Sequence, residues 1–468
     1  MDENATTPFE MRLSEVPSMP QPQLELTYST AIPSNGGTFG ANQEVRIPFN
    51  VPSESFVDLK RAYLKFNLKN NASGAIIYLD PSVGGASVID NWRIVGGTGA
   101  LLEEVIHYNN YSAMLRVNDN HAKVSSVNHE EDGAGTDSCI SALINDTTGI
   151  NNAALTATGA TEIANNATRT ITHRPNSAFF NADRYMPLGY TQGVSYLSIT
   201  LSADATAAIA PNDAGPGVVA YETSNWELHL PILKPGPEFA AMFRSAMGSG
   251  VPIQIHSVGV QNTQQTITGG ASQTETLTFS TRKRSVKSLL GGIRVNAALT
   301  NPSSAALTNP EANSVSGFVN CAISEYNYSV GGIRIPAQQI KCSASDKGEL
   351  LANTQMALGY FNSDLRGCDC IAGLDTAQPA SIYYRSAAND KLGLCSRCLF
   401  SLDLESYDAA FAGKNLAGQG LPLVLHAQTG DGANNFGAAA TACLVDLFVV
   451  HDIMYILDGA TGVITANS

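Results

Sequence analysis

One pattern, present once in each half of this chain, constrains the fold more than any other feature. In the first half, Ser87-Val-Ile-Asp-Asn-Trp-Arg-Ile-Val95 alternates, passes through Gly96-Gly-Thr-Gly99, and leads to a short helical stretch ending near Leu115. In the second, Tyr326-Asn-Tyr-Ser-Val-Gly-Gly-Ile-Arg-Ile-Pro336 is followed by the helical residues 347–358. Period-two alternation reads as strand, and apolar residues at i, i+3 and i+4 read as helix. Both halves then close on apolar strands. A chain of 468 residues is too long for one hydrophobic core, and domains of roughly 100–200 residues set the expectation of two, each a copy of the same β fold.

Residues 1–40 are rich in Pro, Gln, Ser and Gly and carry little periodicity, so they read as an N-terminal arm. Alternation begins at Val45, Ile47 and Phe49 and recurs at Leu64, Phe66 and Leu68. Tyr108 to Val117 reads as an amphipathic helix with Tyr111, Met114 and Leu115 on one side. No strand periodicity is visible over 119–168, which reads as a surface insertion loop. Strands follow at Thr170–His173, at Val194–Leu201 and around Trp226, Leu228 and Leu230. Pro231–Pro237 marks the boundary of a first domain at 41–237, and Glu238–Met247 forms a helix within a linker at 238–250.

The second domain, 251–468, holds strands at Ile253–Val260, Thr274–Thr281, Ser288–Val295, Tyr326–Pro336, Leu421–Ala427 and Leu444–Leu457. A loop is expected over 361–397. Phe400, Leu402 and Leu404 alternate with Ser401, Asp403 and Glu405, as a half-buried strand would. About eight short strands per half, with helices only at connections, predict an all-β fold of two consecutive antiparallel jelly rolls with short connecting helices.

Charge narrows the partners. The net charge is −14, and residues 1–240 carry 13 basic and 25 acidic side chains against 14 and 16 in the remainder. A protein that neutralises phosphates needs clustered Lys and Arg, and the one basic cluster is Thr281-Arg-Lys-Arg-Ser-Val-Lys287. It reads as a solvated strand end, as a contact with the acidic half of another subunit, or as a contact with genome or an inner membrane. No apolar run has the length of a secretory h-region or a membrane span, so synthesis in the cytosol is expected. Sequons at Asn71, Asn110, Asn145, Asn166 and Asn327 read as chance matches in an Asn- and Thr-rich chain.

No catalytic motif appears, and the chain is not expected to be an enzyme. The eight histidines form neither H-x-H nor H-E-x-x-H, Gly96-Gly-Thr-Gly lacks the third glycine of a dinucleotide loop, and no P-loop or nucleophile elbow is present. No cofactor and no metal are expected. The cysteines leave three readings open. Cys368-Asp-Cys370 and Cys395-Ser-Arg-Cys398 approach the spacing of a structural zinc site, could pair as a disulfide, or stand as free thiols.

Several segments resemble the double jelly-roll major capsid proteins of icosahedral double-stranded DNA viruses, of the virophage and polinton-like type. They include Phe56-Val-Asp-Leu-Lys-Arg-Ala-Tyr-Leu-Lys-Phe66, Gly99-Ala-Leu-Leu-Glu-Glu-Val-Ile-His-Tyr-Asn109, Tyr185-Met-Pro-Leu188, Asn225-Trp-Glu-Leu-His-Leu-Pro-Ile-Leu233, Tyr326–Pro336, Ala412-Gly-Lys-Asn-Leu416 and Phe448-Val-Val-His-Asp-Ile-Met-Tyr-Ile-Leu457. The resemblance implies a homotrimer whose six rolls form a pseudo-hexagonal capsomer. It also implies a virion location, with outward loops such as 119–168 and an inward N-terminal arm. Expected partners are further copies of the chain, penton and minor capsid or cement proteins, and no small-molecule substrate. The alternative is a carbohydrate-binding β-sandwich surface protein, which would present aromatic platforms on its loops.

Overall fold

A computed structural model describes residues 24–71, 77–79, 83–116, 162–203, 220–250, 252–267, 274–295, 315, 318, 323–342, 348–359, 398–406, 410–427 and 443–468. In the first half the strands are β1 (Leu24–Ala31), β2 (Thr38–Gly40), β3 (Glu44–Pro48), β4 (Phe56–Val57), β5 (Tyr63–Asn70), β6 (Ile77–Tyr78), β7 (Ile89–Val95), β8 (Leu101–Val105), β9 (Glu162–Ile163), β10 (Thr168–His173), β11 (Tyr196–Leu201) and β12 (Tyr221–Pro235). The second half holds β13 (Ile253–Ile267), β14 (Thr274–Ser280), β15 (Val286–Val295), β16 (Ile323–Val330), β17 (Ile333–Lys341), β18 (Leu399–Asp403), β19 (Gly420–Ala427), β20 (Cys443–Leu457) and β21 (Ile464–Asn467). Three α-helices are described: α1 (Tyr108–Arg116), α2 (Pro237–Gly248) and α3 (Gly348–Ala357).

The first half pairs its strands in the orders β1-β12-β5-β10 and β3-β11-β7-β8, and the second in the orders β13-β20-β15-β18 and β14-β19-β16-β17. Taking the eight principal strands of each half in chain order, both halves put the first, eighth, third and sixth in one sheet. The second, seventh, fourth and fifth form the other. All pairings are antiparallel. Two four-stranded sheets in this order are a jelly roll of two Greek keys, so the chain is a double jelly roll. The remaining short strands extend this frame: β2 and β4 add to β12, β21 adds to β20, and β6 pairs with β9.

The duplicated pattern has a definite place in each roll. It is the hairpin of the fourth and fifth strands, followed by the helix before the sixth. In the first roll this is β7, β8 and α1; in the second it is β16, β17 and α3. Tyr326–Pro336, read as one strand, is therefore two. Gly331 and Gly332 both take positive φ and reverse the chain between them, a conformation that costs glycine little.

Alternation settles which face of each strand is inside. On β5, Leu64, Phe66 and Leu68 are buried while Tyr63, Lys65, Asn67 and Lys69 face outward, as a two-residue side-chain period requires. Two apolar clusters result. One fills the first roll and continues into the second half through residues such as Leu290, Leu399, Phe448 and Tyr455. The other fills the second roll, with Leu289, Ile293, Leu423, Val445 and Leu447 at its centre.

Several expectations change. Leu24–Ala31 and Thr38–Gly40 are not arm but strands, with β1 paired over its whole length to β12. Composition hid them because their outward side chains include exposed Tyr28, Leu26 and Thr30, leaving little amphipathic contrast. The proline-rich Pro231–Pro235 is the end of β12 rather than a break, and it pairs with β1 and β4. The expected loop over 119–168 lies outside the described residues up to 161, and its end contributes β9 and the start of β10. The loop over 361–397 lies outside the described residues. β18 is buried on both faces, not one, since helix α3 and the other roll cover it.

Candidate functional site

For a chain with no catalytic motif, the contact that joins the two rolls is the natural place to seek function. It is made on the face of sheet β13-β20-β15-β18 that points away from its own core. Cross-strand register places Asn262, Phe448, Leu290 and Ser401 in one row on that face, with Gln264, Asp446, Gly292 and Leu399 in the next. Helix α1 of the first roll lies on it. The Tyr111 ring is 5.5 Å from that of Phe448, and Met114 sits where a side chain at residue 292 would be. A Cβ there would come within 2.6 Å of both Met114 Cε and the Phe318 ring. Glycine is what allows the close approach.

A polar group is buried in the same face. Arg294 donates from Nε to Asp446 at 2.7 Å and from a second guanidinium nitrogen at 2.5 Å, and Gln264 donates to the other carboxylate oxygen at 2.5 Å. Pairing and hydrogen bonding together offset the cost of placing two charges where water is excluded.

The second anchor is the turn before β11. Glu103 of β8 is buried and accepts hydrogen bonds from the Ser177 hydroxyl, from Ala178 N at 2.6 Å and from Phe179 N at 3.0 Å. Burial raises its pKa above the ordinary 4.5, and those three donors partly oppose the shift. The turn so held places Phe179 between Phe49 of the first roll, 6.0 Å away, and Tyr455 of the second, 5.4 Å away. Ser257 adds a hydrogen bond to Ala178 O at 2.6 Å, and Asp183 N donates to His256 O at 3.0 Å.

One constellation resembles catalytic machinery and differs from it in order. Asp452 is buried between His256, whose Nε2 lies 2.7 Å from one carboxylate oxygen, and Ser285, whose hydroxyl donates to the other. In a hydrolytic triad the histidine stands between serine and carboxylate so that it can take the serine proton. Here the carboxylate is central, meeting the imidazole on one oxygen and the hydroxyl on the other, so the group ties β13 and β20 to the residue that leads into β15. Sequence reading missed it because the three residues are 29 or more positions apart.

Of the cysteines singled out for zinc or a disulfide, Cys368, Cys370 and Cys395 lie outside the described residues. Cys398 is buried at the start of β18, its backbone N–H bonded to Phe318 O. Among the described residues, no three His, Cys, Asp or Glu side chains are grouped to hold a metal. His107, His229 and His256 each meet a carboxylate, and His173 meets the Tyr108 hydroxyl at 2.7 Å. The basic cluster forms the turn from β14 to β15, where Lys287 pairs with Glu405 at 2.6 Å while Arg282 and Arg284 are exposed. Asn110 and Asn327, both in sequons, are buried.

No protein-family model matches the sequence, and no curated protein matches it. Solved structures do match the fold. The PBCV-1 virus capsid subunit aligns over 96% of this chain and 98% of its own at TM-score 0.56 and 10% identity. The Faustovirus major capsid protein aligns over 93% and 91% at 0.55 and 8%, and a chain of the Sputnik virophage over 99% and 92% at 0.54 and 12%. The fold is that of the double jelly-roll major capsid proteins. End-to-end coverage of both chains means that this double jelly roll matches those neighbours across both rolls and not through one roll alone. At such low identity the likeness is one of fold, kept by strand order and burial and not by particular surface residues.

Proposed function

We propose that this protein is the major capsid subunit of an icosahedral double-stranded DNA virus, assembling as a homotrimeric, pseudo-hexameric capsomer. The observation that carries this reading is the identical strand order of the two rolls, fused across a shared apolar core. Two like units held rigidly side by side become six when three chains close a ring, and a near-hexagonal outline tiles a flat facet. A head-to-tail contact closes in this way when its rotation matches the ring. The neighbours that share the fold support the same reading, as capsid proteins whose role is structural.

Penton, minor capsid and cement proteins are the further partners of such a shell, and the virion is where the protein acts. The carbohydrate-binding alternative gains nothing from the two tryptophans, because Trp92 and Trp226 are both buried in the first roll and present no platform. Electron microscopy of the purified recombinant protein tests the proposal. Particles with a hexagonal outline support it, and single two-lobed particles at every concentration would overturn it.

A further inference from the structure

The two rolls share a topology, yet the equivalent sheet faces meet different surroundings. In the second roll the outward face of β13-β20-β15-β18 is covered by α1, and its residues Phe448, Leu290 and Leu399 are no more than 1% exposed. In the first roll the described residues leave the corresponding face of β1-β12-β5-β10 open, with side chains such as Tyr63, Lys65 and Tyr28 part-exposed or exposed. Register places Thr30, His229 and Tyr63 in one row across it, with Glu227 and Lys65 in the next and Leu26 and Tyr28 at its β1 edge. His229 stacks on Tyr63 at 4.5 Å and meets Glu227 at 3.0 Å. Tyr28 is 70% exposed, Leu26 44% and the Lys65 side chain 44%.

The element that would cover this face also has an internal counterpart. α3 occupies in the second roll the place that α1 occupies in the first, between the fifth and sixth strands. Its Leu350 and Thr354 are buried, one helical turn apart, just as Asn109 and Ala113 are on α1. Aligning those anchors sets Ala352 opposite Tyr111 and Met356 opposite Leu115, and both Ala352 and Met356 are part-exposed. α1 reaches the next roll within the chain, whereas among the described residues the main contacts of α3 are with β15, β17 and β18 of its own roll.

We propose that α3 of one copy docks on the outward β1-β12-β5 face of the first roll of a second copy, repeating between chains the contact that α1 makes within one. This rests on the trimeric reading above and adds the surface through which the ring closes. The occupant is a second copy because the contact already exists once in the molecule. Roll topology, helix position and sheet face all recur, so the same rigid step applied again leads from the second roll to the first roll of another chain. The face offered between chains is also more exposed than its internal counterpart. The internal face buries Phe448, Leu290 and Gly292 beside the paired Arg294 and Asp446, whereas Glu227, Lys65 and His229 keep this one wet. A subunit that must stay dispersed until it assembles is well served by that difference, since a large exposed apolar patch would aggregate.

The test begins with the wild-type mass in solution, which decides the trimeric reading by itself. Given a trimer, Tyr28→Glu and Met356→Glu are each compared with Met242→Glu, an exposed control on α2. The expected result is a fall from three chains to one for the first two variants, with unchanged far-ultraviolet circular dichroism, and a retained trimer for the control. A photo-crosslinking residue at position 28, in mixed isotope-labelled trimers, is expected to join to residues 348–359 of another chain. Trimers that survive both substitutions, or crosslinks that fall only elsewhere on the neighbouring copy, would overturn the assigned surface and leave the trimer standing.

Discussion

Tyr111, on the helix of the first roll, places its ring 5.5 Å from that of Phe448, on an inner strand of the second. The pair marks the point where the two rolls stop being separable domains, because Phe448 is 0% exposed and belongs to the core of the roll that does not contain it.

Phe448→Ala therefore removes a ring from the contact between rolls. Large-to-small changes of a buried phenylalanine cost about 3–5 kcal/mol. Urea unfolding is expected to show a loss of that size, and to split from one transition into two as the rolls uncouple. An unshifted single transition would show that the contact does not couple them.

Gly292→Ala tests the same contact by crowding it. The added methyl meets Met114 Cε and the rigid Phe318 ring at 2.6 Å, and overpacking of this kind costs about 1–3 kcal/mol. Met114→Ala in the same chain is expected to relieve part of that loss by freeing the space, a non-additivity readable in a double-mutant cycle.

Acid stability should depend on His451. Burial, reinforced by Lys283, lowers its pKa from 6.5 to about 4. The unfolded chain then binds the proton first. The stability that neutral His451 contributes is complete above pH 6.5 and is lost as pH falls through its folded pKa of about 4. His451→Gln is expected to flatten the stability profile across that window, an effect on the order of 3 kcal/mol at its acid end. Equal slopes for the two proteins would rule the histidine out.

Glu103 has the opposite sign. Its folded pKa is raised, so its contribution is present below the ordinary 4.5 and is lost as pH rises through the folded value. Glu103→Gln keeps the shape but turns an amide N–H₂ toward a backbone donor. The loss is expected to be about 1–3 kcal/mol, largest near pH 4 and narrowing toward neutrality, when chemical unfolding of the two proteins is compared at each pH.

The cysteine question needs a direct assay. Cys398 is buried, so Cys398→Ser places a hydroxyl among apolar neighbours and costs about 1–3 kcal/mol whether or not a metal is present. The loss is expected to be the same with and without a chelator, and the wild-type protein to contain no stoichiometric zinc by elemental analysis. One bound zinc per chain would reverse that reading.

Much of this fold was readable from the chain because each signal was local. Leu64, Phe66 and Leu68 alternate within one strand, and Tyr111, Met114 and Leu115 share one helical side. What escaped depends on partners far away in sequence. β1 is a strand because β12 lies beside it, over 190 residues later, and the proline-rich end of β12 is held in line by β1 and β4. The buried Glu103, Asp446 and Asp452 look like surface acids in the sequence, since nothing nearby names Ser177, Arg294 or His256 as the groups that satisfy them. Gly292 was legible as a strand residue, but the helix that requires it to lack a side chain comes from the other roll.

The most direct measurement is the absolute mass of the purified protein by light scattering coupled to size exclusion. A stable species at three times 49.3 kDa is expected. A protein that remains at 49.3 kDa across the accessible concentration range would contradict a capsomer built from this chain.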